Sequence, residues 1–201
     1  MPPVARPLRL LLTVILLALA ALAAGCSNLS GTNGKAYLTG DGQISIYPAS
    51  ERADAVDLHG STLDGGTWSS KDALGKPVVV NVWWSQCGPC RTEMPMLQAA
   101  ATELGDTASF VGVNTRDNSA ANGIAFERDV EVTYPSIYSP DGKALLALKG
   151  LPQAVPSTVV LDARGRLAAV IAGQIDGTRT IPELVECIAD ATAEDDCKVG
   201  G

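Results

Sequence analysis

The strongest constraint on the fold of this chain is Val78-Val79-Val80-Asn81-Val82-Trp83-Trp84, followed almost at once by Cys87-Gly88-Pro89-Cys90. A continuous β-branched run suits a central strand covered on both faces. Met94, Leu97, Ala101 and Leu104 then recur at helical spacing, so a helix is predicted from about Pro89 to Leu104, bent at Pro95. A cysteine pair is thereby placed where a strand hands over to a helix. There the unpaired amide groups and positive dipole end of the helix stabilise a thiolate. Cys87 would be the attacking thiol and Cys90, one turn further in, the resolving one. The competing use of Cys-x-x-Cys is zinc, which needs two further ligands. Cys187 and Cys197 are separated by nine residues and His59 is the only histidine, so a metal site has little to draw on.

Elsewhere the pattern alternates. Strands are expected at Ser109–Val113 and Pro135–Tyr138, and a hairpin at Ser157–Leu161 and Leu167–Ala172, turning at Asp162-Ala163-Arg164-Gly165. Helices are expected from Asn118 or Ser119 to about Asp129, at Lys143–Lys149, and from Thr180, with Glu183 completing a capping box. Asp64-Gly65-Gly66 marks a turn, and Ser69 or Ser70 caps a short helical turn. Gln43–Tyr47 alternates only weakly. The sum is an α/β fold with a mixed sheet. A net charge of −7 without basic clusters argues against a nucleic-acid partner.

The N-terminus speaks to compartment. Arg6 and Arg9 precede an apolar run, Leu10 to Ala24, which is too short to span a bilayer and ends in small residues before Cys26. Leu22-Ala23-Ala24-Gly25-Cys26 resembles a bacterial lipobox, with Leu22 one place earlier than usual. The expected division is a signal peptide over 1–25, a lipid-anchored flexible tether over 26–52 beginning at Cys26, and a folded domain over 53–201. A plain secreted protein, or an uncleaved anchor with Cys26 idle, is the alternative. Outside the cytoplasm Cys187 and Cys197 can form a structural disulfide, or stay as two free thiols.

The segment from Asn81 to Pro95, including Trp83-Trp84-Ser85-Gln86-Cys87-Gly88-Pro89-Cys90-Arg91-Thr92-Glu93, resembles the active-site segment of the TlpA/ResA group of the thioredoxin superfamily. The likeness extends over about residues 53–192. It takes in Gly75-Lys76-Pro77, Thr133-Tyr134-Pro135, Val155-Pro156-Ser157-Thr158 and Asp162-Ala163-Arg164-Gly165. The resemblance implies a thioredoxin-like fold, a mixed central sheet flanked by helices, with an N-terminal extension and a central βα insertion. It makes Pro156 the candidate cis-proline and Val155 the residue whose backbone pairs with substrate. Asn81 stands where thioredoxin has a proton-accepting aspartate, and Glu93 takes the position of the acceptor in the ResA-like group. A solvated first-turn glutamate is the plainer alternative. Trp83 and Gln86 would line the substrate side, although Trp83 equally suits core packing.

By this likeness the chain is a membrane-anchored, extracytoplasmic reductase of disulfides in secreted proteins such as apocytochrome c. It would be fed by a CcdA-like membrane electron donor and use no cofactor beyond the Cys87–Cys90 pair. A disulfide-donating oxidase and a non-catalytic thioredoxin-fold binding lipoprotein are the alternatives.

Overall fold

A computed structural model describes residues 43–149 and 154–190, all within the unit Gly34–Gly201. Cys26, Cys197 and the expected signal peptide lie outside the described residues. Six strands form one sheet in the order β1-β8-β7-β4-β5-β6: β1 (Gln43–Ile46), β4 (Val78–Trp83), β5 (Ser109–Asn114), β6 (Ser136–Tyr138), β7 (Ser157–Leu161) and β8 (Leu167–Ala172). β4, β5 and β6 run parallel, whereas β7 joins β4 antiparallel and β8 and β1 follow antiparallel in turn. β4 is buried at all six residues, as a central strand without an exposed face must be.

The side chains of β4 divide between two apolar layers. Val79 and Trp83 face a layer built from α1 (Gly88–Leu104) and α3 (Thr180–Ala189), with Phe126 entering from α2 (Ala120–Asp129). Val78, Val80 and Val82 face a second layer with Val111, Val113, Ile137 and Val159, closed by Leu58, Ala73 and Leu148. The hairpin of β2 (His59–Ser61) and β3 (Thr67–Ser69) docks on the β6 edge through a Thr62–Ile137 bridge. Its approach is close: a Cβ on Gly60 would lie 2.6 Å from Ile137 Cγ2.

Three expectations change. Residues 43–52 belong to the fold rather than to a tether reaching residue 52. Ile44 and Ile46 turn into the core from the β1 edge, and Arg52 is buried, donating to Tyr47 O (2.9 Å) and Asp162 (3.2 Å). The helix expected at Lys143–Lys149 is a 3₁₀ segment, Lys143–Ala147, entered through left-handed Gly142. Its i→i+3 bonds, Leu145 N to Gly142 O and Leu148 N to Leu145 O, are both 3.0 Å. Thr180 does not cap α3: Arg179 holds the N-cap position, and the Thr180 hydroxyl donates back to Asp176 O at 2.8 Å. Ser69 and Ser119 do cap, accepting from Lys71 N and Ala121 N respectively. α1 continues through Pro95 to Leu104.

Candidate active site

β4 ends at Trp83, and after three intervening residues Cys87 is the N-cap of α1, with Pro89 in the first turn, where a missing N–H costs nothing. Cys87 N donates to Trp84 O at 3.1 Å, closing the turn, and Cys87 Sγ accepts from Cys90 N at 3.1 Å. The sulfur therefore already occupies the place where helix amides stabilise negative charge. Cys87 and Cys90 are joined as a disulfide, with an S–S distance of 1.98 Å and Cα atoms 5.2 Å apart. Cys87 retains 5% exposure and Cys90 none, the asymmetry expected of an attacking and a resolving sulfur.

Glu93 lies three residues beyond Cys90 on the buried side of α1 and is fully buried. The solvated alternative is thus removed. Its Oε1 accepts from Asn81 Nδ2 at 2.7 Å and its Oε2 from Ile175 N at 2.9 Å. Burial raises its pKa from 4.5 to about 7, against the lowering effect of those two bonds. A buried carboxyl that titrates near neutrality is matched to proton exchange with a thiol. Asn81 also donates to Thr158 Oγ1 at 3.2 Å. Burial, with the Glu93 and Glu127 carboxylates nearby, holds the Tyr134 hydroxyl well above its usual range, so it stays neutral beside them.

Val155–Pro156 is a cis peptide bond. Ser157, the next residue, pairs with Val82 near the end of β4, which brings this loop to the cysteine end of the sheet. Val155 is half-buried and lines a groove of about 380 Å³ with Val82, Thr115, Leu145 and Leu146. Gln86 is exposed beside Cys87, on a second groove of about 630 Å³ shared with Ser85, Arg91 and Phe126. Trp83 departs from expectation: it is fully buried, stacks on Phe126 at 5.1 Å and donates to Ser136 Oγ at 3.2 Å. A side chain without exposure cannot touch substrate, so Trp83 packs the floor of the site. His59 is exposed and bonds Asp57, away from the cysteines. Cys187 on α3 is disulfide-bonded, and its expected partner Cys197 falls outside the described residues.

Sequence reasoning missed the partners of Glu93. A polar residue in the middle of a fully buried strand must find hydrogen bonds, so Asn81 itself was a signal. Ile175 N and Thr158 carried none.

Residues 52–170 match the model of the AhpC/TSA family. The chain is 32% identical over 125 residues to the thioredoxin-like protein YneN of Bacillus subtilis, covering 61% of this chain and 72% of that one. It is 30% identical to a thiol:disulfide interchange protein DsbE homolog of Paracoccus denitrificans, covering 84% and 92%. Among solved structures, a DsbF homologue from Corynebacterium diphtheriae superposes with a TM-score of 0.68 at 35% identity, covering 78% of this chain and 99% of that one. A secreted thiol-disulfide isomerase from Corynebacterium glutamicum gives 0.69 at 28%, covering 80% and 99%. With a disulfide-linked Cys-x-x-Cys at the head of α1 on a mixed sheet, this chain belongs to the AhpC/TSA family and is a thioredoxin-fold thiol-disulfide oxidoreductase.

Proposed function

We propose that the protein is a disulfide reductase working outside the cytoplasm, held at the membrane through Cys26, with apocytochrome c among its substrates. The observation that carries the direction of electron flow is Glu93, fully buried on α1 one turn beyond Cys90. An ionised carboxylate beside a buried thiol disfavours the thiolate. A dithiol whose thiolate is not stabilised is the better electron donor, since stabilising the reduced form is what makes a strong oxidant. The likeness to a secreted thiol-disulfide isomerase supports the compartment.

The reaction starts from the reduced pair. Cys87 thiolate attacks one sulfur of a substrate disulfide, forming a mixed disulfide and releasing one substrate thiolate. Ionised Glu93 takes the Cys90 proton, and Cys90 thiolate attacks Cys87 Sγ. That step releases the second substrate sulfur and leaves Cys87–Cys90 oxidised, the form described here. The two electrons of the pair pass to the substrate; the proton taken up by Glu93, and one from solvent equal to the one Cys87 released on ionising, complete its two thiols, and a membrane dithiol donor restores the pair. Val155, beside the cis bond, offers backbone to an extended peptide next to Cys87.

The test is the reduction potential together with Cys90→Ser trapping. A potential near about −270 mV supports the reductase and one near about −120 mV the oxidase. The Cys90→Ser protein should accumulate mixed disulfides with secreted proteins through Cys87; no trapped partner and no insulin reduction would mean a non-catalytic binding protein. Labelling with palmitate that survives Cys26→Ala would refute the anchor.

A further inference from the structure

Asp117 is buried, 2% exposed, yet lies on the connection from β5 to α2 and takes no part in the chemistry above. Its carboxylate accepts three hydrogen bonds. Oδ2 receives Ser85 N at 3.0 Å and Asn114 Nδ2 at 2.7 Å, and Oδ1 receives Ser85 Oγ at 2.6 Å. Asp117 is itself held: its N–H donates to Thr115 O at 2.8 Å, and its carbonyl accepts from Tyr138 OH at 3.1 Å. Thr115 N in turn donates to Trp83 O at 2.9 Å, fastening this connection to the end of β4.

We infer that Asp117 is a positioning residue for Cys87, acting through Ser85. Ser85 is the middle of the short passage from β4 to the N-cap, two residues before the nucleophile. By gripping both its amide and its hydroxyl, Asp117 fixes the turn that brings Cys87 Sγ to 3.1 Å from Cys90 N. In the reduced protein that placement is what exposes the thiolate to the helix amides. Burying a carboxylate is costly unless donors surround it, and an apolar side chain would brace a loop at lower cost. A carboxylate held by two donors from one residue is suited to fixing the angle of that residue, which packing alone does not do.

The inference rests on Cys87 being the attacking thiol, and the experiment separates the two. The full chain, reduced, is treated with iodoacetamide at neutral pH, and the rate of modification at Cys87 is followed by peptide mass spectrometry. Asp117→Ala should slow that rate about tenfold, the size of losing one buried hydrogen bond that holds the turn. Asp117→Asn should restore it to within about twofold, because the amide oxygen still accepts from Ser85 N and Asn114 while the Ser85 hydroxyl turns to accept. Ser85→Ala, which keeps the backbone bond, should slow it about threefold and add nothing to Asp117→Ala. If Asp117→Ala does not fold, Ser85→Ala and Asp117→Asn decide by the same criteria. An Asp117→Ala or Ser85→Ala protein as reactive as wild type overturns the placement. Asp117→Asn as slow as Asp117→Ala overturns it too, by making charge rather than position the cause. A wild-type protein modified at Cys90 and not at Cys87 overturns the reading of the nucleophile, and this inference with it.

Discussion

Replacing Glu93 by Gln should stabilise the oxidised protein, and by an amount that depends on pH. In the fold the carboxyl titrates near 7 instead of 4.5, because burial penalises its charged form. Between those values the folded state holds a proton that the unfolded chain has released, so stability falls as pH rises. At about 1.4 kcal/mol per pKa unit, this one group costs the wild-type protein roughly 3 kcal/mol between pH 4.5 and pH 8. Gln has no charge to bury. Its amide also fits: the carbonyl can accept from Ile175 N, and the Asn81 amide can turn so that Oδ1, unpartnered in the wild type, accepts the new N–H. Urea unfolding of oxidised wild type and Glu93→Gln at half-unit steps from pH 4.5 to 8.5 measures the difference. It should be within about 1 kcal/mol at pH 4.5, grow with pH and level off near 3 kcal/mol above pH 8. A difference that stays flat, or a wild type that gains on the variant as pH rises, would refute the account of a buried carboxyl ionising at a cost.

Asn81→Ala removes a donor that lowers the Glu93 pKa, so the inflection in that difference curve should move above pH 7. Gly112→Ala should destabilise by about 3 kcal/mol in urea unfolding, because its Cβ would lie 2.1 Å from Ser136 Oγ and 2.6 Å from Trp83 Nε1, two groups already bonded to each other. Asp162→Ala removes the carboxylate that Arg52 and Arg166 share on a buried side chain; a loss of about 3 kcal/mol in the unfolding free energy is expected, with the potential of the cysteine pair unchanged.

The local plan was legible in the sequence because its signals are local. A β-branched run reads as a buried strand whatever surrounds it, and Cys-Gly-Pro-Cys directly behind it reads as a helix start. Val78–Trp83, Ser109–Asn114, Ser157–Leu161 and Leu167–Ala172 accordingly fall where periodicity and turn residues put them. The failures are equally physical. Gln43–Ile46 is too short and weakly patterned to declare itself, and becomes a strand by pairing with β8 more than 120 residues later. Lys143–Ala147 has helix-forming residues, but its start at Gly142 and its packing through Leu148 hold it to a 3₁₀ turn.

At the site, sequence alone determined the two sulfurs, their order along the helix and the glutamate a turn beyond them, since residues three apart on a helix are neighbours by geometry. What only the tertiary structure decided is the condition of those groups. Glu93 is buried because α1 lies on the Asn81 face of β4 and the chain after β8 returns to present Ile175 N. Val155 reaches the cysteine end because β7 runs antiparallel to β4. Asp117 reaches Ser85 because β5 lies beside β4, so that its connection to α2 begins at the same end of the sheet as the passage to Cys87. The Asn81 contact spans 12 residues, but Ile175 lies 82 from Glu93 and Ser85 lies 32 from Asp117, and no local pattern encodes a partner at that range.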